Sequence, residues 1–86
     1  MKRIVEEAAL NGLESLMGEQ VILLCGNYFY AGKLTGVNKT IVELTDASIV
    51  YETGQWSADK WADAQLMGPG AHYVRIQWIE SFRRSK

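Results

Sequence analysis

Two periods of apolar residues run along this chain, and the change between them divides it. Val5, Ala9, Leu13 and Leu16 recur at helical spacing on one face. This predicts a helix over about residues 3–17. Glu6 and Glu7 stand in its first turn, where negative charge suits the helix dipole. Gly18 follows the last periodic residue and can take the left-handed conformation that ends a helix. Asn11-Gly12 is a weak point within it.

After Gly18 the period shortens to two. The run QVILLC (20–25) reads as an apolar strand, and Gly26-Asn27 as a tight hairpin turn. YFYAGKLTGV (28–37) is a second strand, with Tyr30, Gly32, Leu34 and Gly36 on one face. Asn38-Lys39 suits another turn, because Asn tolerates positive φ. TIVELTDASIVY (40–51) is a long third strand, bent or bulged at Thr45-Asp46-Ala47-Ser48. Residues 53–71 form an excursion. There Ser57 caps an expected short helix, ADKWADAQLM, striped by Ala58, Ala62 and Leu66 and stopped by Gly68-Pro69-Gly70. HYVRIQWIESFRR (72–84) returns to strand. The phase break after Trp78 predicts a kink between two short strands.

These elements predict a mainly β fold in a single domain over 1–86. A sheet with so few residues must curl to bury a core, which favours a small, strongly bent SH3-like barrel of five strands. Gly32 and Gly36 are then bending points where backbone packs close to backbone. A chain of 86 residues buries only about 60–65% of its unfolded surface. Oligomerisation would add apolar burial to that marginal core.

The order of elements and one run of residues resemble the Sm-like (Lsm) family. That run is Val21-Ile22-Leu23, Gly26-Asn27, Gly32-Lys33-Leu34, Asn38, then Val42-Glu43-Leu44 with Asp46-Ala47. The resemblance spans about residues 3–51 in detail and residues 73–82 as an apolar strand. It implies an N-terminal helix (about 3–17) across a five-stranded barrel (about 20–52 and 72–83), here with a helical insert (about 53–71). It also implies a homo-oligomeric ring of about five to seven copies, and RNA or single-stranded nucleic acid as ligand. Small Sm-like proteins carried by phages are similar. In the family, the turn after the second strand holds nucleotide with an acidic residue, a stacking side chain and an Asn, aided by a distant Arg-Gly pair. Asn38 stands at the acidic position and Thr40 at the stacking one. Val42, or Ile41 if the turn is shorter, stands where Asn would be, and Arg75 is followed by Ile76. The resemblance thus names Asn38, Lys39, Thr40 and Arg75 as nucleic-acid contacts.

Charge modifies this picture. Nine Lys and Arg against ten Asp and Glu leave a formal charge of −1, without the basic excess of a dedicated nucleic-acid binder. The basic residues do cluster, with Arg83, Arg84 and Lys86 at one end as candidate tail contacts to phosphate and Lys2 and Arg3 at the other. Solvated termini are the plainer reading of both clusters. Trp56, Trp61, Tyr73, Trp78 and Phe82 lie in the last third near Arg75, Arg83 and Arg84. Rings and cations together clamp single strands, and rings alone pack cores and interfaces.

Candidate chemistry is sparse. Cys25 lies in an apolar run and reads as an inert core thiol. His72 at a strand start reads as a surface or hydrogen-bonded structural residue. Asp59 and Asp63 read as a solvated helix face, and no serine stands in a Gly-x-Ser-x-Gly context. No enzyme activity, catalytic residue, metal or cofactor is expected. A single cysteine, acidic residues where a signal peptide needs an apolar centre, and the lack of a long apolar run predict a cytoplasmic protein with no membrane partner. The alternative to nucleic-acid binding is a homo-oligomeric module that binds protein.

Overall fold

The computed structural model describes residues 12–86. Most of the expected first helix, residues 3–11, lies outside the described residues. Within 12–17 the backbone forms a short 3-10 turn over Glu14–Leu16. The rest is mainly β: β1 (Gln20–Cys25), β2 (Tyr28–Val37), β3 (Ile41–Glu52), β4 (Asp63–Leu66), β5 (Ala71–Arg75) and β6 (Ser81–Arg84), with a 3-10 turn at Ile76–Trp78. All six strands belong to one antiparallel sheet in the order β4-β3-β2-β1-β6, and β5 also pairs with β3.

β1 shows why its sequence is a continuous apolar run. Val21, Ile22 and Leu23 are all buried, because both faces of the sheet are covered at this strand. Val21 and Leu23 join Leu34, Val42, Leu44, Ala47 and Val74 in the main core. Ile22 turns to the opposite face, where it packs with Ala31, Val50, Phe29 and Trp61. β5 and β1 are not neighbours, yet Val74 and Leu23 share one core, so the sheet curls around it. The segment 76–80 crosses that core. Ile76 N donates to Thr40 O at 2.9 Å and Glu80 N to Leu24 O at 2.7 Å. Among the described residues no strand ladder joins β5 to β6, and the sheet is open there.

β2 and β3 change register twice, between Ala31 and Lys33, where Gly32 lies, and between Leu34 and Gly36, where pairing resumes at Gly36. A Cβ built on Gly32 would meet Ala47 Cα at 3.1 Å and Leu44 Cβ at 3.3 Å. That is the close backbone approach a curled sheet needs from glycine.

β3 is long because it serves two partners on one edge. Ile41–Thr45 pair with β5, and Ser48–Glu52 pair with β4. Asp46 marks the division at φ 53, a left-handed conformation that Asp tolerates. Its Oδ1 accepts from Gly70 N at 3.1 Å, its own N donates to Gly70 O at 3.0 Å, and Met67 N donates to Ala47 O at 2.9 Å. The connection from β4 to β5 is thereby stitched onto the bend.

The expected helix in 53–71 is not formed. Residues 63–66 are β4, an edge strand in register with Ser48–Glu52. Most helical stability comes from burying an apolar face, and this stripe has nothing to bury against: Leu66 is 61% exposed. The free edge of β3 instead offers backbone partners to Asp63–Leu66. Trp61, which the helix would have carried beside its stripe, packs on the Ile22–Ala31–Val50 cluster.

Candidate nucleic-acid interface

The turn between β2 and β3 is built by Asn38. Its Oδ1 accepts from Thr40 N and Ile41 N, both at 2.8 Å, and from Thr40 Oγ1 at 3.3 Å. Asn38 N donates to Ile41 O at 3.0 Å. This is an Asx turn, and it commits the Asn38 carbonyl and the Thr40 hydroxyl to holding the loop. Lys39 stands exposed at the tip.

Arg75 reaches the same place from the other end of the chain. It pairs with Ile41 in the β3–β5 ladder and is exposed, and the next residue, Ile76, is bonded to Thr40. Backbone pairing therefore sets Arg75 next to the turn, 35 positions after Thr40, while its side chain lines a different cavity from that of Lys39. Beside the turn lies a cavity of about 530 Å³ lined by Leu13, Glu14, Val37, Lys39, Ile76 and Phe82, among others. Its surface is mainly apolar, with Lys39 the cation and Glu14 the anion. No ring occupies the turn itself.

The basic end does not gather into one patch. Arg83 pairs with Ile22 and Arg84 with Val21, so their side chains leave opposite faces of the sheet. Arg84 is neutralised by Glu19, with Nη2 to Oε2 at 2.8 Å and Nε to Oε2 at 2.9 Å. Both partners are exposed, and the pair contributes at most about 1 kcal/mol. Lys86 donates from Nζ to three carbonyls, of Thr53 (2.9 Å), Gln55 (2.7 Å) and Lys60 (3.3 Å), and its ammonium lies 4.4 Å from the Trp61 ring centre. It ties down residues 53–60. Arg83 lies 5.7 Å from the Trp56 ring centre.

The aromatic residues separate in the same way. Trp56 and Trp61 cover the second face with Phe29. Tyr73 and Trp78 are 60% and 63% exposed on and after β5. There, Cys25, Tyr30, His72, Arg75 and Trp78 line a further cavity of about 350 Å³. The His72 ring lies 5.3 Å from that of Tyr30. Cys25 is half-buried, and burial, with the Glu80 carboxylate nearby, pushes its thiol above the usual range. Nothing in the sequence singles out Phe29 or Tyr30, because aromatics in a strand read as packing; only the fold shows what each ring faces. Among the described residues no group of His, Cys, Asp and Glu could hold a metal ion. No helix among them is long and apolar enough to cross a membrane.

No protein-family model matches this chain, and comparisons with curated proteins and with solved structures find no match.

Proposed function

We propose that this chain is an Sm-like barrel protein that assembles with copies of itself into a ring and binds RNA or another single-stranded nucleic acid at the turn 38–40 and Arg75. The observation that carries this reading is the joining of Thr40 to Ile76 and of Ile41 to Arg75. It holds Lys39 and Arg75, both exposed, beside one turn. Support for the barrel comes from connectivity. β1, β2, β3 and β5 follow one another around the core, and β6 returns beside β1 after a 3-10 turn. Among the described residues β5 and β6, like β4, each carry a strand on one side only, so β6 of one copy can extend β5 of the next, removing those two edges.

Binding to a single-stranded oligonucleotide should weaken linearly in log affinity against log salt. Lys39→Ala with Arg75→Ala should reduce that slope by about 1.4, the share of two phosphate contacts on a single strand. No binding to any oligonucleotide at low salt sinks the nucleic-acid part. A second reading, a ring that binds only protein, is favoured by the turn's chemistry: Asn38 and Thr40 are occupied with each other, and Glu14 faces the cavity. It predicts a stable oligomer that ignores nucleic acid.

A further inference from the structure

The second face of the sheet holds a recess well separated in sequence from the turn at 38–40. Ile22 and Leu24 of β1 line it with Phe29, Trp56, Ser81 and Arg83, around a volume of about 320 Å³. Trp56 is held firmly there. Its ring meets Phe29 edge-on at 6.1 Å and Trp61 edge-on at 5.4 Å. The turn that carries it closes with Ala58 N donating to Gln55 O at 3.0 Å, and Lys86 donates to the Gln55 carbonyl before it and the Lys60 carbonyl after it. Yet Trp56 remains 49% exposed. Arg83 stands beside this ring. Among the described residues no carboxylate lines the recess. Among the described residues Arg83 forms no ion pair, whereas Arg84 next to it does.

The geometry points to a nucleotide-binding site in this recess, with the base against Trp56 and Phe29 and the phosphate on Arg83 and the Ser81 hydroxyl. An indole accepts any base through its π-face. A guanidinium matches phosphate oxygens with two parallel hydrogen bonds. The apolar surface of Ile22 and Leu24 suits a flat ring and rewards its removal from water. The volume stands at the small end of ligand pockets, about 300–1,000 Å³, which fits one nucleotide and not a dinucleotide. A free mononucleotide and one nucleotide of a single strand offer the same chemistry. The site shares no residue with Lys39 or Arg75, so it does not rest on the interface proposed at the turn.

The test is titration of the full chain with AMP, with adenosine and with a short oligoadenylate, following tryptophan fluorescence and the Trp56 indole N–H signal by NMR. AMP should quench the fluorescence and shift that signal, and adenosine should bind more weakly. Arg83→Gln should remove the difference between AMP and adenosine. Trp56→Leu should weaken AMP by about fivefold to 150-fold, the worth of one stacked base. The Arg83 variant keeps the contacts of Trp56 with Phe29 and Trp61, and its NMR spectrum checks the fold. Equal affinity for AMP and oligoadenylate per site identifies a free-nucleotide site; binding of oligoadenylate alone, with the same Trp56 shift, identifies a strand site. If neither ligand moves the Trp56 signal, or if the Arg83 variant still prefers AMP to adenosine as the parent does, the inference is overturned. The Lys39 and Arg75 variant separates this from the turn: it should leave the Trp56 response to AMP unchanged even where oligonucleotide affinity falls.

Discussion

Gly32 is the residue on which the curl of the sheet turns. Its absent side chain admits Ala47 and Leu44 from β3, and the nearest neighbour is backbone, Ala47 Cα at 3.1 Å. Backbone in a paired strand cannot step aside as a side-chain tip can. Gly32→Ala should therefore cost about 1–3 kcal/mol, the usual penalty for overpacking a filled core, read as a lower urea midpoint at unchanged slope. Gly36 is a useful comparison, because its nearest neighbour is the Glu43 side chain, Cβ at 3.2 Å, on a half-buried residue. Gly36→Ala should cost less. Equal stability of the Gly32 variant and the parent would show that β3 is free to move away. Both glycines were legible in the sequence as interruptions of a strand; the partner each one admits was not, since it lies on another strand.

At the scale of elements, β3 organises the molecule by dividing its edge between β5 and β4. Asp46 is the hinge of that division. It takes positive φ and receives the Gly70 amide on its carboxylate, so one residue both bends the strand and anchors the β4–β5 connection. Asp46→Ala loses the acceptor and places a Cβ-bearing residue with no local hydrogen bond in the left-handed region. It should destabilise by about 1–3 kcal/mol, with faster hydrogen exchange at Gly70 and Met67. Asp46→Asn keeps an acceptor and tolerates the same φ, so it should stay within about 0.5 kcal/mol of the parent. If the two variants behave alike, the hydrogen bond to Gly70 carries nothing. The bend at 45–48 could be read from its Thr-Asp-Ala-Ser composition. The identity of residues 63–66 could not: a stripe of Ala58, Ala62 and Leu66 suits a helix by period, and the choice fell to an open strand edge elsewhere in the fold.

For the whole molecule, the open sides of β5 and β6 are the feature with the largest consequence. Among the described residues, the open edges of β5 and β6, with Tyr73 exposed on β5 and Trp78 exposed after it, are a hazard in a monomer and an asset in a ring. Light scattering should find an oligomer under the proposed reading. Trp78→Lys should weaken it by about 2 kcal/mol or more per interface if Trp78 is a central contact, while far-UV circular dichroism stays that of the folded β protein. A parent that is strictly monomeric at high concentration removes the ring. Assembly and ligand binding touch at two places, because Arg75 ends β5 and the recess takes Ser81 and Arg83 from β6, the two strands whose open edges the proposed ring would pair.

The sequence by itself determined β1, β2, β3, β5 and β6, their hairpin turns and the positions where the backbone must bend, but not β4. Those follow from local rules: period-two burial, Gly and Asn at tight turns, and an apolar run where both faces are covered. It also placed Lys39 and Arg75 among the candidate contacts without showing that strand pairing sets Arg75 beside the turn. Tertiary structure alone decided what the side chains face. It paired Ile41 with Arg75, sent Arg83 and Arg84 to opposite faces, neutralised Arg84 with Glu19, and folded the Trp56 loop over β1 and β2 under the hold of Lys86. The physical reason is that local periodicity fixes which residues share a face, whereas the neighbour across that face comes from strand pairing over long stretches of chain.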